Sequence, residues 1–219
     1  MNIVITGANR GIGLELVKHY CNAGASVTAL CRNSSDQLNQ TEATVIDKVD
    51  MANPDSIKNA ALAIGYQQID VLINNAGVLG NESINDWDPN TIDYQFRVNS
   101  MGPLLLTQAL QSKLLEGAKV ILVTSRMGSM SDNMSGGYYG YRMSKAALNA
   151  AGVSLANDFR DKKVSVLMLH PGFVQTEMVS GNGDISAEVA ARNMCNRIEQ
   201  LTLADSGTFW HANGDDLPW

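Results

Sequence analysis

Short apolar runs rich in β-branched residues alternate along the chain with longer stretches whose apolar positions recur at helical spacing. The short runs predict strands over residues 3–6, 26–31, 44–49, 71–74, 119–125 and 164–170, with a last short strand over 208–210. The longer stretches predict helices over residues 11–23, 55–65, 103–115, 140–161 and 187–201. Pro54 and Pro103 suit first-turn helical positions, where a missing N–H has no intrahelical partner to lose. Such alternation is the sequence form of repeated βαβ units, so the expected fold is α/β, a doubly wound parallel sheet. No repeat, linker or low-complexity tract divides it, and one domain spanning residues 1–219 is expected.

Composition narrows the partners. With 219 residues and 45% hydrophobic content the chain can bury one sizeable core. Sixteen Lys and Arg against 22 Asp and Glu leave a net charge of -6, with no dense basic block to track a phosphate backbone; no nucleic-acid partner is expected. Met1 leads directly into Ile3-Val4-Ile5 and a turn, without the basic start and long apolar stretch of a signal peptide, and no later run approaches a membrane span. A cytoplasmic protein with no membrane partner is expected. Cys21, Cys31 and Cys195 are odd in number and lack CxxC or metal-ligand spacing, which predicts buried reduced thiols and no metal.

The segment TGANRGIG, from Thr6 to Gly13, joins the first strand to the first helix. Gly7, Gly11 and Gly13 suit a tight turn where backbone must approach a pyrophosphate and the helix amino terminus favours negative charge. Asn9, Arg10 and Ile12 lie within this turn, and together the residues predict a Rossmann-type dinucleotide site. At the end of the second strand a carboxylate would hold a ribose 2′-hydroxyl and an arginine a 2′-phosphate. The chain reads Ala29-Leu30-Cys31-Arg32, Arg10 can reach the same phosphate, and Asp36 falls too late, so NADP(H) is the expected cofactor. Asp50 in KVDMANP, followed by Met51, can accept from an adenine amino group or cap a helix. Asn74-Asn75-Ala76-Gly77 ends the fourth strand; its Gly-Ala corner lets a cofactor lie against backbone, and its amides can contact the cofactor or tie strands together.

Tyr141 and Lys145 stand at positions i and i+4 of YYGYRMSKAALNAAG, on one face of the expected helix. An ammonium there would lower the phenol pKa and let it serve as the acid/base of hydride transfer.

Taken together, TGANRGIG, NNAG, Asn99 in RVNSMG, Ser125 in LVTSRMGS, Tyr141 with Lys145, and Pro171-Gly172-Phe173-Val174-Gln175-Thr176 resemble the short-chain dehydrogenase/reductase family, in the right order from Met1 to Trp219. Residues 124–148 and the ending GDDLPW are most similar to C-factor and sniffer-like carbonyl reductases within it. The resemblance implies Tyr141 as general acid in reduction and Lys145 on the nicotinamide ribose. It also implies Ser125 as a donor to the substrate oxygen and Asn99 as holder of a water linking Lys145 to solvent. Pro171, Gly172, Val174 and Thr176 would surround the nicotinamide carboxamide.

The interval between Ser125 and Tyr141 is longer than usual in that family and contains Ser129, a rival donor to Ser125. After the Pro-Gly turn, residues 177–188 read as a short polar substrate lid without lysine or arginine. Met127, Met130, Met134 and Met178 fall near the expected mouth, where flexible thioethers suit apolar ligands, or serve as scattered core residues. The small residues Ala146, Ala147, Ala150, Ala151 and Gly152 permit close helix packing inside the domain or across a two-fold axis, and the resemblance favours a homodimer or homotetramer. The expected function is NADPH-dependent reduction of a small or medium aldehyde or ketone; the rival is a signalling or redox-sensing protein that binds NADP(H) with little turnover.

Overall fold

The computed structural model describes every residue except Tyr66. Seven parallel strands form one sheet in the order β3-β2-β1-β4-β5-β6-β9. In chain order they are β1 (Asn2–Thr6), β2 (Ser26–Leu30), β3 (Thr44–Ile46), β4 (Ile69–Asn74), β5 (Leu114–Val123), β6 (Ser165–His170) and β9 (Thr208–His211). Between β6 and β9, the short strands β7 (Val174–Gln175) and β8 (Ile185–Ser186) pair separately. The helices are α1 (Gly11–Asn22), α2 (Asp36–Asn39), α3 (Pro54–Ala63), α4 (Pro89–Phe96), α5 (Gly102–Leu110), α6 (Tyr139–Asp158) and α7 (Ala187–Gln200).

Parallel strands covered on both faces must be apolar throughout, and successive side chains go to opposite sides. In β1, Ile3 and Ile5 enter the core layer shared with Leu16 of α1 and Met194 of α7, whereas Val4 enters the layer holding Ile57 of α3, Leu106 of α5 and Leu148 of α6. The same division separates Ile121 from Val120 and Leu122 in β5. The chain crosses from one half of the sheet to the other between β1 and β4, which opens a crevice at their carboxyl ends.

The expected elements follow in the expected order, and the main difference concerns the helix expected over 103–115. The helix expected over 103–115 stops at Leu110, and Leu114 already belongs to β5, where it pairs with Ile69 of β4. The expected start at Pro103 is also wrong, because α4, a π-helical turn over Arg97–Met101 and α5 run without a break. Asp88 caps this rod by accepting from the Asn90 N–H at 2.9 Å, and Pro89 fills its first turn. Pro103 therefore lies in mid-helix and cannot supply the N–H that the Asn99 carbonyl would receive in a regular α-helix. The Gly102 N–H instead reaches back to the Arg97 carbonyl, and the extra residue is absorbed as the π-turn.

Candidate active site

The glycine turn between β1 and α1 owes its shape to two close approaches. Gly7 adopts φ +65, and a Cβ there would stand 2.8 Å from the Ala76 Cα; a Cβ on Gly13 would collide with the Gly7 carbonyl. Asn75 fixes the turn from the next strand: its amide donates to the Thr6 and Gly7 carbonyls at 3.0 and 3.2 Å. The Thr6 hydroxyl accepts from the Asn75 and Ala76 N–H groups at 3.0 and 2.9 Å. The Asn75 side chain thus ties β4 to the end of β1, whereas the Asn74 amide donates to Thr107 of α5 at 3.2 Å in the core.

A cleft of about 390 Å³ runs along the carboxyl edge of the sheet. It is lined by Gly7, Asn9, Arg10, Gly11, Ile12, Gly13, Arg32, Asp50, Met51, Asn75, Ala76, Gly77, Tyr141, Lys145, Pro171 and Thr176, all singled out from the sequence. Gly172 and Val174 do not line it: Val174 is buried in β7, and Gly172 turns the chain at φ +98 beside Ile185 and His211. Glu177 and Met178, from the segment expected to cover the substrate, line it as well, and so do Tyr94 and Val98, which no motif in the sequence singled out. Tyr94 and Val98 belong to the helical rod whose first half was not anticipated; the Asp88-Pro89 start signal could have found it.

Both arginines are engaged at the cleft. Arg32 donates to the Tyr94 hydroxyl at 2.8 Å, and Arg10 forms an ion pair with Glu177 across the mouth. Asp50 is not a helix cap, since Asn53 caps α3; one Asp50 oxygen accepts from the Ala52 N–H at 2.9 Å within its own turn.

The far end of the cleft holds the chemical groups. Ser125 lies two residues beyond the end of β5, just behind the cleft lining, and its side chain acts on the hydroxyl of Tyr141, on the first turn of α6. One helical turn on, the Lys145 ammonium lies 5.7 Å from the Tyr141 ring centre and donates to the Val123 carbonyl at 2.8 Å. Gly77 keeps backbone close: a Cβ there would stand 3.7 Å from Lys145 Nζ. Burial pushes the Lys145 ammonium down to about 8. Burial also pushes the Tyr141 phenol up, with the Ser125 hydrogen bond acting in the opposite direction. The lowered phenol pKa expected from the lysine is thus not the direction found, because desolvation outweighs other influences in this state.

Asn99 stands behind these groups. Its side chain accepts from the Val78 N–H at 2.8 Å and donates to the Val78 carbonyl at 2.9 Å and Ser144 Oγ at 3.0 Å. The amide is fully spent on joining the NNAG corner to α6. Its main-chain carbonyl is the atom that Pro103 deprives of a helical donor. Ser129 turns elsewhere, accepting from the Asp132 N–H at 3.2 Å and facing Ser131 at 3.4 Å. Met127 is half-buried and Met130, Met134 and Met178 are exposed, so none of the four is a core residue. Cys31 and Cys195 are buried, whereas Cys21 is only half-buried, packed at the edge of the core under α1. Among the described residues, no group of three or more His, Cys, Asp and Glu is arranged to hold a metal, and no helix is long and apolar enough to cross a membrane.

The short chain dehydrogenase family model matches residues 1–185, and the chain belongs to that family of oxidoreductases. It is 35% identical over 99% of both chains to the 1-hydroxy-2-glutathionyl-2-methyl-3-butene dehydrogenase of Rhodococcus sp. (strain AD45). It is also 43% identical to the C-signal of Myxococcus xanthus, over 69% of this chain and 93% of that protein. Among solved structures, NADPH-bound carbonyl reductase from chicken fatty liver superposes with a TM-score of 0.91 at 28% identity, covering 100% of this chain and 98% of that one. The carbonyl reductase Sniffer of D. melanogaster gives the same TM-score of 0.91 and 28% identity, with 100% and 99% covered.

Proposed function

We propose that this chain is an NADPH-dependent carbonyl reductase acting on small or medium apolar aldehydes and ketones. The observation that carries the reading is the convergence of the Tyr141 and Ser125 hydroxyls beside the Lys145 ammonium, at the end of a cleft floored by glycine backbone. The cleft fits a dinucleotide: Gly7 and Gly13 let the turn close on Ala76 and on itself so that backbone floors the cradle, and two arginines line it where a 2′-phosphate would need them. The likeness to an NADPH-bound reductase supports the same choice.

In this reading Gly7, Asn9, Gly11, Ile12 and Gly13 hold the pyrophosphate, Arg10 and Arg32 the 2′-phosphate, and Asp50 and Met51 the adenine. Asn75, Ala76 and Gly77 lie against the ribose, and the segment from Pro171 through Gly172 and Val174 to Thr176 frames the nicotinamide. The cofactor, when bound, supplies the hydride. Negative charge then grows on the carbonyl oxygen, where Ser125 Oγ donates a hydrogen bond and Tyr141 delivers a proton. Lys145 grips the ribose hydroxyls, and its charge favours the phenolate left behind. A water on the Asn99 carbonyl restores the proton through Lys145. The polar segment 177–188 covers the substrate, and the exposed apolar side chains of Phe96, Met101 and Met143 support dimerisation through the α4–α6 face.

The test follows NADPH absorbance while aldehydes, ketones, quinones and glutathione-conjugated carbonyls are offered to wild type and Tyr141→Phe. The reading requires turnover by wild type and its loss in a variant that still binds NADPH. The similarity to C-signal favours a second reading, an NADP(H)-binding signalling protein, which retained binding without any turnover would support. Absence of NADP(H) binding would remove both.

A further inference from the structure

Resting on the carbonyl-reductase reading, we infer that Arg142 is a positioning residue that holds Ser125 and the substrate-side loop in working geometry. Arg142 follows Tyr141 on α6 but turns the other way, under residues 126–138. Its Nη1 donates to the Met127 carbonyl at 3.4 Å, its Nη2 to Ser135 Oγ at 2.9 Å and its Nε to the Gly137 carbonyl at 3.2 Å. One guanidinium thereby ties the first turn of the loop to its last. Among the described residues it forms no ion pair, unlike the arginines at 10, 97 and 126. Five donors in a fixed fork suit this task, which a single ammonium cannot reproduce.

The clamp reaches the chemistry through one peptide. The Met127 N–H donates to Ser125 Oγ at 3.1 Å, and that hydroxyl is the partner of Tyr141. With its lone pair held by Met127, Ser125 keeps its own proton for the substrate oxygen. The neighbouring turn residue Gly128 packs so closely on Lys145 that a Cβ would stand 2.8 Å from the Lys145 carbonyl carbon. Movement at the loop neck is therefore movement at Ser125.

The same loop carries two exposed apolar side chains. Met130 and Met134 are 77% and 93% exposed, which for methionine on a tethered segment is surface held out of the core at a cost. The crest has its own anchor: Ser131 donates from N–H and Oγ to the Trp219 carbonyl at 3.0 and 2.6 Å, and the Trp219 ring lies 5.5 Å from that of Phe209. Arg142 at the neck and Trp219 at the crest set the loop as one wall of the substrate entrance.

The test compares wild type with Arg142→Met, Arg142→Lys and Arg142→Ala. Arg142→Met should bind NADPH as wild type does while KM for an apolar aldehyde rises and kcat falls, together costing about a hundredfold in kcat/KM. Arg142→Lys should recover little, and added guanidinium should restore part of the activity of Arg142→Ala. Hydrogen exchange over residues 129–138 should quicken in Arg142→Met with α6 and the sheet unchanged. Exchange is read without substrate, so it judges the clamp even if wild type reduces no carbonyl and the functional reading fails. Unchanged loop exchange, or kcat/KM equal to wild type in Arg142→Met, overturns the inference.

Discussion

Lys145 holds its ammonium 5.7 Å from the ring centre of Tyr141 while giving a hydrogen bond to the Val123 carbonyl at 2.8 Å. Burial lowers its pKa from 10.5 to about 8, so between those values the unfolded chain carries a proton that the folded chain has released. Stability contributed by this group therefore rises with pH across that window and is least below it. Urea unfolding of wild type and Lys145→Met at pH 8 and pH 10 should show wild type gaining on the variant at the higher pH. Parallel pH curves would mean that the lysine is not desolvated as the structure has it.

Arg32 and Arg10 differ in what they must give up to receive a phosphate. Arg32 leaves only the neutral Tyr94 hydroxyl, whereas Arg10 must part from the Glu177 carboxylate. Charge-assisted hydrogen bonds contribute about 1.5–3 kcal/mol each, so Arg32→Asp should weaken NADPH binding by roughly tenfold to a hundredfold and leave NADH little affected. Glu177→Gln should instead tighten NADPH by a small factor, because the exposed pair that competes for Arg10 is worth at most about 1 kcal/mol. Fluorescence titration of both nucleotides checks the two variants, and an Arg32→Asp chain with wild-type NADPH affinity would remove the NADP assignment.

Ser125 and Ser129 are separated by one 3-10 turn, yet only Ser125 meets Tyr141. Ser125→Ala should lower kcat by about a hundredfold, the usual consequence of losing one donor to a developing oxyanion. Ser129→Ala should retain most of kcat, since its hydroxyl serves the Asp132 N–H inside the loop. The reverse ranking in steady-state kinetics would exchange their roles.

Pro103 gives the helical rod its π-turn by withholding one N–H from Asn99. Pro103→Ala supplies that donor and should regularise the helix. Greater thermal stability with slower proton supply, seen as a lower kcat and a larger solvent isotope effect, is the expected result. A variant as active as wild type would show that the Asn99 carbonyl is not needed.

What the sequence disclosed is what short spacing can encode. Gly7, Gly11 and Gly13 and the Tyr141–Lys145 pair lie within single turns, so their geometry follows from one strand-to-helix junction and one helix face. Asn99 was legible as a site residue, but its division of labour was not. Its amide meets Val78 and Ser144, 21 and 45 residues away, and its carbonyl depends on a π-turn that no periodicity announces. Tyr94, and the pairing of Glu177 with Arg10, were not legible for the same reason: each contact joins an arginine to a residue 62 or 167 positions away. The overrun of the helix expected over 103–115 reflects Leu114-Leu115, apolar residues that suit helix and strand alike until Ile69 of β4 claims Leu114 for the sheet.

His170 ends β6 opposite His211 of β9, with ring centres 4.9 Å apart and planes at 83°. Its Nδ1 is buried without a hydrogen-bond partner. Burial first, then His211, Arg126 and Lys145, hold its pKa at about 3 against an ordinary 6.5. Below pH 6.5 the unfolded chain takes up a proton that folded His170 refuses, so its contribution to stability is whole above that pH and falls away as pH drops towards 3. One proton corresponds to a slope of at most about 1.4 kcal/mol per pH unit. His170→Gln keeps a polar side chain of similar reach and removes the titration, and its unfolding free energy should fall less steeply between pH 6.5 and pH 4. Because the two rings face each other, His211→Gln should restore part of the basicity of His170 and flatten the same limb by a smaller amount. Chemical denaturation of the three proteins at pH 7, 5.5 and 4.5 decides it, and equal slopes would place the acid sensitivity in other groups.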